Sequence, residues 1–173
     1  MTPDSYGVLT EPATLTIQRL LPGPAERIWA YLTKSELRRQ WLAAGEMEMK
    51  VGAAFELVWR NSELTNPPGQ RPPGFGEEHR MKSQITELDP PRKLSFTWGN
   101  SGDVTFTLEP KGNDVLLTVL HRRLPDRPTL LRVSAGWHSH LDVLVARARG
   151  KEPAPFWDGW LRLQNEYDRR LPA

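Results

Sequence analysis

The 173-residue chain contains no cysteine. That excludes disulfides, zinc ribbons, iron–sulfur clusters and thiol nucleophiles together. It also lacks a long apolar run. Mean hydropathy is -0.55, and no stretch approaches the ~18 apolar residues of a membrane span. The start, Met1-Thr2-Pro3-Asp4-Ser5-Tyr6, carries no basic stretch followed by an apolar core, so no secretory signal is expected and a cytoplasmic location is. Charge of one sign is scarce too: 23 basic against 21 acidic residues leave a net +2. The pI near 9.1 reflects a small arginine excess. Residues 121–151 do carry seven Arg/Lys against two Asp. Without interleaved aromatics or a recognition motif, this reads as the solvated face of a helix, and no nucleic-acid partner is expected. Acidic and histidine motifs of metal sites are missing. His138 and His140 lie two apart on an expected helix, about 200° around its axis, and cannot share one ion. No metal or cofactor is expected.

Proline and tryptophan are plentiful. Sixteen prolines are nearly twice the roughly 5% average. They cluster at Pro22/Pro24, Pro67/Pro68, Pro72/Pro73, Pro90/Pro91, Pro125/Pro128 and Pro153/Pro155, and so mark the joints between elements. Seven tryptophans supply large apolar surfaces.

Residues 1–12 read as a flexible arm. Ala13–Leu21 alternates and predicts a strand. Pro24–Leu32 has helical spacing, and Thr33-Lys34-Ser35-Glu36 matches a capping box that opens a second short helix through Trp41. Strands are predicted over 46–51, 53–60, 77–88, 93–98, 103–109 and 114–122, mostly joined as hairpins. The intervening Asn61–Gly76, with four prolines and three glycines, is too long for a hairpin loop and is expected to be mobile or to gate the cavity. Leu130, Val133, Trp137, Leu141, Leu144 and Ala148 form the stripe of a long helix ending before Gly150. Phe156–Leu171 predicts a further amphipathic helix, packed either on its own domain or on a second copy in a homodimer. The expected organisation is an arm (1–12), a domain (13–150) and a helical extension (151–173). The class is α+β: a curved antiparallel sheet of about seven strands around one long helix, with two short helices after the first strand.

A long helix on a curved sheet leaves space between them. The inward candidates are Phe55, Trp59, Phe96, Trp98, Trp137 and Leu141, with His121 at the end of the last strand as a polar handle. Pockets of this composition take small apolar or amphipathic molecules. No catalytic pair is recognisable, because Glu77-Glu78-His79 are adjacent strand residues facing opposite sides, and Ser83, Glu109 and Asp114 have no triad spacing. Binding without chemistry is therefore the leading expectation. The alternatives are a cyclase- or hydrolase-type enzyme acting on a hydrophobic substrate, and a protein-interaction domain.

Pro24–Thr33 followed by Trp41-Leu42-Ala43, the turn Val51-Gly52-Ala53-Ala54-Phe55-Glu56, the stretch Glu87–Trp98, Leu117–His121 and Gly136-Trp137 together resemble the family related to the C-terminal domain of the activator of the heat-shock-protein-90 ATPase. The resemblance covers roughly residues 13–150. It implies the helix-grip fold of the START-like (SRPBCC) superfamily, which includes lipid-transfer domains and polyketide cyclases. It implies no shared catalytic motif. No separate N-terminal domain of the kind the eukaryotic activator uses accompanies it, so a chaperone partner is not expected.

Overall fold

The computed structural model describes residues 6–11 and 13–171. Seven strands form one sheet: β1 (Val8–Glu11), β2 (Thr14–Pro22), β3 (Ala54–Trp59), β4 (His79–Asp89), β5 (Lys93–Thr97), β6 (Asp103–Lys111) and β7 (Asp114–Arg122). Its order is β1-β2-β7-β6-β5-β4-β3, and every neighbouring pair is antiparallel. The helices are α1 (Ala25–Thr33), α2 (Ser35–Arg38), α3 (Arg127–Ala148) and α4 (Phe156–Arg170). This is the expected helix-grip α+β fold. No helix among the described residues is long and apolar enough to cross a membrane.

The strands follow from alternation. Along β7, Val115, Leu117, Val119 and His121 are buried while the residues between them are more exposed. Opposite them in β2 stand Leu15, Ile17 and Leu21, also buried. A bulge between Ile85 and Glu87 interrupts the β4–β5 ladder, and such irregularities bend and twist a sheet locally.

Two segments differ from the sequence reading, and the strand count agrees only because they compensate. Within the segment 1–12 expected as an arm, residues 1–5 and 12 lie outside the described residues, and Val8–Glu11 pair with β2 as an edge strand. The predicted strand over 46–51 does not form. Arg38, fully buried, donates to the carbonyls of Leu32, Thr33, Ala43 and Gly45. It thereby fastens the chain just ahead of this segment, where Ala44 makes an isolated bridge with Val58. Met49 and Val51, the apolar half of the alternation, are exposed. Burial pulls the Arg38 guanidinium down to about 10, against the attraction of Glu46. The capping box does not close either: Lys34 is the N-cap of α2 without a side-chain bond, and the Thr33 hydroxyl donates back to Trp29 O at 2.9 Å.

Helix α3 has defined ends. It starts three residues earlier than the stripe suggests, because the Asp126 carboxylate accepts from Thr129 N at 2.9 Å and Pro128 sits in the first turn. It stops where Gly150 takes φ +70, allowing Gly150 N to bond Arg147 O and Lys151 N to bond Ala146 O. Asp126→Ala is expected to lower the urea midpoint, whereas Asp126→Asn should retain most of that stability.

The C-terminal helix packs on its own chain. Phe156, Trp157, Trp160, Leu163 and Tyr167 are buried, and α4 lies along α3. The 61–76 segment, expected as a gate, is fastened to α4. Trp157 N donates to Pro68 O, Phe156 N to the Thr65 hydroxyl, the Trp157 indole to the Ser62 hydroxyl and Gln70 N to Asp158 Oδ1. Gly69 passes so close to Asp158 that a Cβ would meet its backbone N at 2.8 Å.

Candidate functional site

Fastening the 61–76 segment to α4 roofs one end of the grip. A cavity of about 420 Å³ opens between the β3–β5 end of the sheet, α3, α4 and residues 74–79. Alternation brings Trp59 of β3 to its wall, and Trp98, just past β5, joins it; their rings meet edge to face at 5.4 Å. Trp137 of α3 stands 5.1 Å from Trp98. Phe75 closes the roof against Trp157 and Trp160, both at 5.1 Å. Five of the seven tryptophans therefore line one space.

The seven sequence candidates divide into two groups. Trp59, Trp98 and Trp137 line the cavity, while Phe55, Phe96, His121 and Leu141 do not. Phe96 packs behind the wall on Phe55, Trp98 and Phe106. Leu141 is fully buried. The space directly between mid-sheet and α3 is filled, since Trp137 meets Phe106 at 5.7 Å.

His121 is a strut rather than a handle. The Trp137 indole N–H donates to its Nδ1 at 3.1 Å, so the ring proton sits on Nε2, which donates to Ser101 O at 2.8 Å. Both nitrogens are occupied within the protein. Burial pushes its pKa down to about 4, outweighing the Ser101 carbonyl and the Asp103 charge. It holds Trp137 in orientation and is neutral at pH 7.

The polar groups on the cavity wall are Asn61, Glu77, Glu78, His79, Arg132 and His140; of these His140, which spacing raises only as a metal ligand, is buried on α3. Its Nδ1–H donates to Trp41 O at 2.8 Å, leaving Nε2 as an unprotonated acceptor. Burial pushes this histidine down to about 4 as well, against that hydrogen bond. His138 points elsewhere, meeting the Tyr167 hydroxyl at 2.9 Å and Asp142 at 3.5 Å. Among the described residues no three metal-ligating side chains cluster.

Gly136 also lines the cavity. A glycine inside a helix costs about 1 kcal/mol relative to alanine, yet a Cβ here would meet nothing within 4 Å. Close packing therefore does not require it; the missing side chain enlarges the cavity. At the mouth, Glu78 is held by Arg80 at 2.7 Å and Arg60 at 2.6 Å. Those hydrogen bonds, Arg80's foremost, keep its carboxyl below the usual range. The His79 ring lies tilted against Trp59, their centroids 5.5 Å apart.

The missed residues belong to the roof and to α3. Phe75, Trp157 and Trp160 reach the cavity only because the long loop docks on α4.

Comparison with known proteins agrees with this architecture. The model of the Activator of Hsp90 ATPase homolog 1-like protein family matches residues 22–149. Among curated proteins, none matches the chain. Among solved structures, a Bordetella parapertussis protein determined by NMR is 34% identical, over 99% of this chain and 93% of that one, with a TM-score of 0.81. CalU16 from Micromonospora echinospora is 21% identical, over 95% and 91%, with a TM-score of 0.66. A conserved protein of unknown function from Enterococcus faecalis is 22% identical, over 92% and 86%, with a TM-score of 0.68. With the family pattern matched from the end of β2 to the end of α3 and one solved relative similar over its whole length, the chain belongs to the Activator of Hsp90 ATPase homolog 1-like family.

Proposed function

We propose that the protein binds a small flat aromatic or amphipathic molecule in the cavity roofed by α4 and the 61–76 loop. The carrying observation is the composition of its wall: a space of about 420 Å³, within the usual size of small-molecule sites, faced by Trp59, Trp98, Trp137, Phe75, Trp157 and Trp160. Such ring faces and edges give an apolar ligand stacking surface. The buried layer of Phe55, Phe96, His121 and Leu141 supports the wall, with Phe96 against Trp98 and His121 against Trp137. Among the described residues lining the space there is no serine, threonine, tyrosine or lysine to serve as a nucleophile, which supports binding without chemistry.

Because five tryptophans line the cavity, intrinsic fluorescence reports occupancy. Titration with a naphthalene carboxylate is expected to quench emission saturably. Phe75→Ala should weaken binding about tenfold, the equivalent of one lost stacking contact of about 1.4 kcal/mol. Native mass spectrometry of the purified protein is expected to show a retained small molecule. Unsaturable quenching together with an empty mass spectrum refutes the reading.

A further inference from the structure

Three cavity-lining residues of α3, Arg132, Gly136 and His140, are four apart, and residues at i, i+4 and i+8 lie along one helix face. Eight residues at 1.5 Å each separate the first from the last by about 12 Å. The row is polar at both ends and empty in the middle. Arg132 is exposed and feels the charge of Asp126 at the start of α3, but among the described residues it makes no hydrogen bond or ion pair. His140 is buried, with its Nδ1 committed to Trp41 and Nε2 left as an acceptor. Between them Gly136 presents no side chain, and a Cβ would meet nothing within 4 Å.

The mouth carries other charges. Glu78 is bound by Arg60 and Arg80, which leaves Arg132 and Glu77 as the charged lining groups without a bound partner. They stand on different elements, α3 and the loop before β4, and only Arg132 shares the helical row with Gly136 and His140. An acidic group lying along α3 therefore meets the guanidinium. At the far end, a neutral histidine acceptor takes a hydroxyl or N–H donor and has nothing to offer a carbonyl. The bay at Gly136 admits a rigid ring against the helix backbone, opposite the tryptophans.

Resting on the aromatic-binding reading, the geometry points to one ligand class: a fused-ring aromatic acid lying along α3, its carboxylate at Arg132, its ring over Gly136 and a hydroxyl donating to His140.

The test uses the intact chain and tryptophan emission with three probes. One is a hydroxynaphthoate with its two groups at opposite ends of the ring system; the others are the naphthoate without hydroxyl and the naphthol without carboxylate. The hydroxynaphthoate is expected to bind tightest, and loss of either group to weaken binding about fivefold. His140→Phe should erase the preference for the hydroxyl and leave that for the carboxylate; Arg132→Leu should do the reverse. Gly136→Leu should abolish binding of all three without lowering the melting temperature, while Gly136→Ala keeps the fold and binds more weakly. Equal affinity for all three probes overturns this polarity and leaves the aromatic cavity standing. Saturable binding of none overturns both. Wild-type binding by Gly136→Leu overturns the bay. If His140→Phe folds poorly, the ligand series on the unaltered protein still decides the hydroxyl.

Discussion

Removing residues 152–173 is expected to cost about 5 kcal/mol, much of the 5–15 kcal/mol typical of a domain, and to leave a chain that unfolds over a broad range or associates. The helix α4 inserts Phe156, Trp157, Trp160, Leu163 and Tyr167 into the protein. Their removal also releases the ordering entropy of the helix, so their burial alone does not measure the loss. The better measure is what stays behind. Phe75 loses both of its ring partners, Trp157 and Trp160, and His140 loses Phe156, 4.7 Å away. Tyr6 and His138 lose Tyr167. The 61–76 loop loses its hydrogen bonds to α4 at Thr65, Pro68, Ser62 and Gln70. Uncovering two to three large side chains' worth of surface, at about 1.5–3 kcal/mol each, gives the stated cost. The exposed strip on α3 is also the kind of contiguous apolar patch that drives association. Urea unfolding with light scattering reads both effects. A truncated monomer with an unfolding free energy within about 1 kcal/mol of the full chain would show that α4 is an accessory. The same truncation removes the cavity roof, so aromatic probes should no longer quench saturably.

This dependence on α4 shows where sequence reasoning reached and where it stopped. Hairpin strands β4 to β7 were legible because alternation and turn residues act locally. So was α3, with its stripe and its terminal glycine. Strand β1 was not: Val8–Glu11 is four residues long, and it is a strand only because β2 lies beside it. The reverse error at 46–51 has a similar origin. Alternation of Met47, Met49 and Val51 is a sheet pattern, but Arg38 captures the carbonyls of Ala43 and Gly45 first. At the site, Trp59 and Trp98 were legible because strand periodicity assigns faces, and Trp137 because helix periodicity does. Phe75, Trp157 and Trp160 sit on a loop and a helix whose placement is tertiary, and no local pattern carries it. His121 stood at the right end of the right strand, but nothing local reveals that the Trp137 indole occupies its Nδ1. Spacing raises His140 only together with His138, as a metal pair that helix geometry excludes; its actual partner, Trp41 O, is 99 residues away.

Lowering the pH from 7 to 5 is expected to remove about 4 kcal/mol of stability through two buried histidines. His121 and His140 are both pushed down to about 4 by burial, while an unfolded histidine titrates near 6.5. Between those values the unfolded chain binds more protons than the folded one. Stability therefore rises with pH across the window, is complete above about 6.5, and falls as the pH drops toward 4. Each histidine contributes about 2 kcal/mol of that loss between pH 7 and 5. The carboxyls of Glu78, Glu87, Glu166 and Asp126, held low by their partners, lose their contributions only further down, as the pH falls below their unfolded values. Urea midpoints at pH 7, 6 and 5 read the slope, and His140→Gln should roughly halve it. A midpoint that does not move between pH 7 and 5 would mean that neither ring is held neutral by burial. Ligand binding per folded molecule should behave differently. His140 keeps its acceptor lone pair until about pH 4, so the preference for a hydroxyl-bearing aromatic should persist at pH 5 while the fold around it weakens. A hydroxyl preference that disappears between pH 7 and 5 would mean that the ring gains its proton far earlier than so buried a group should.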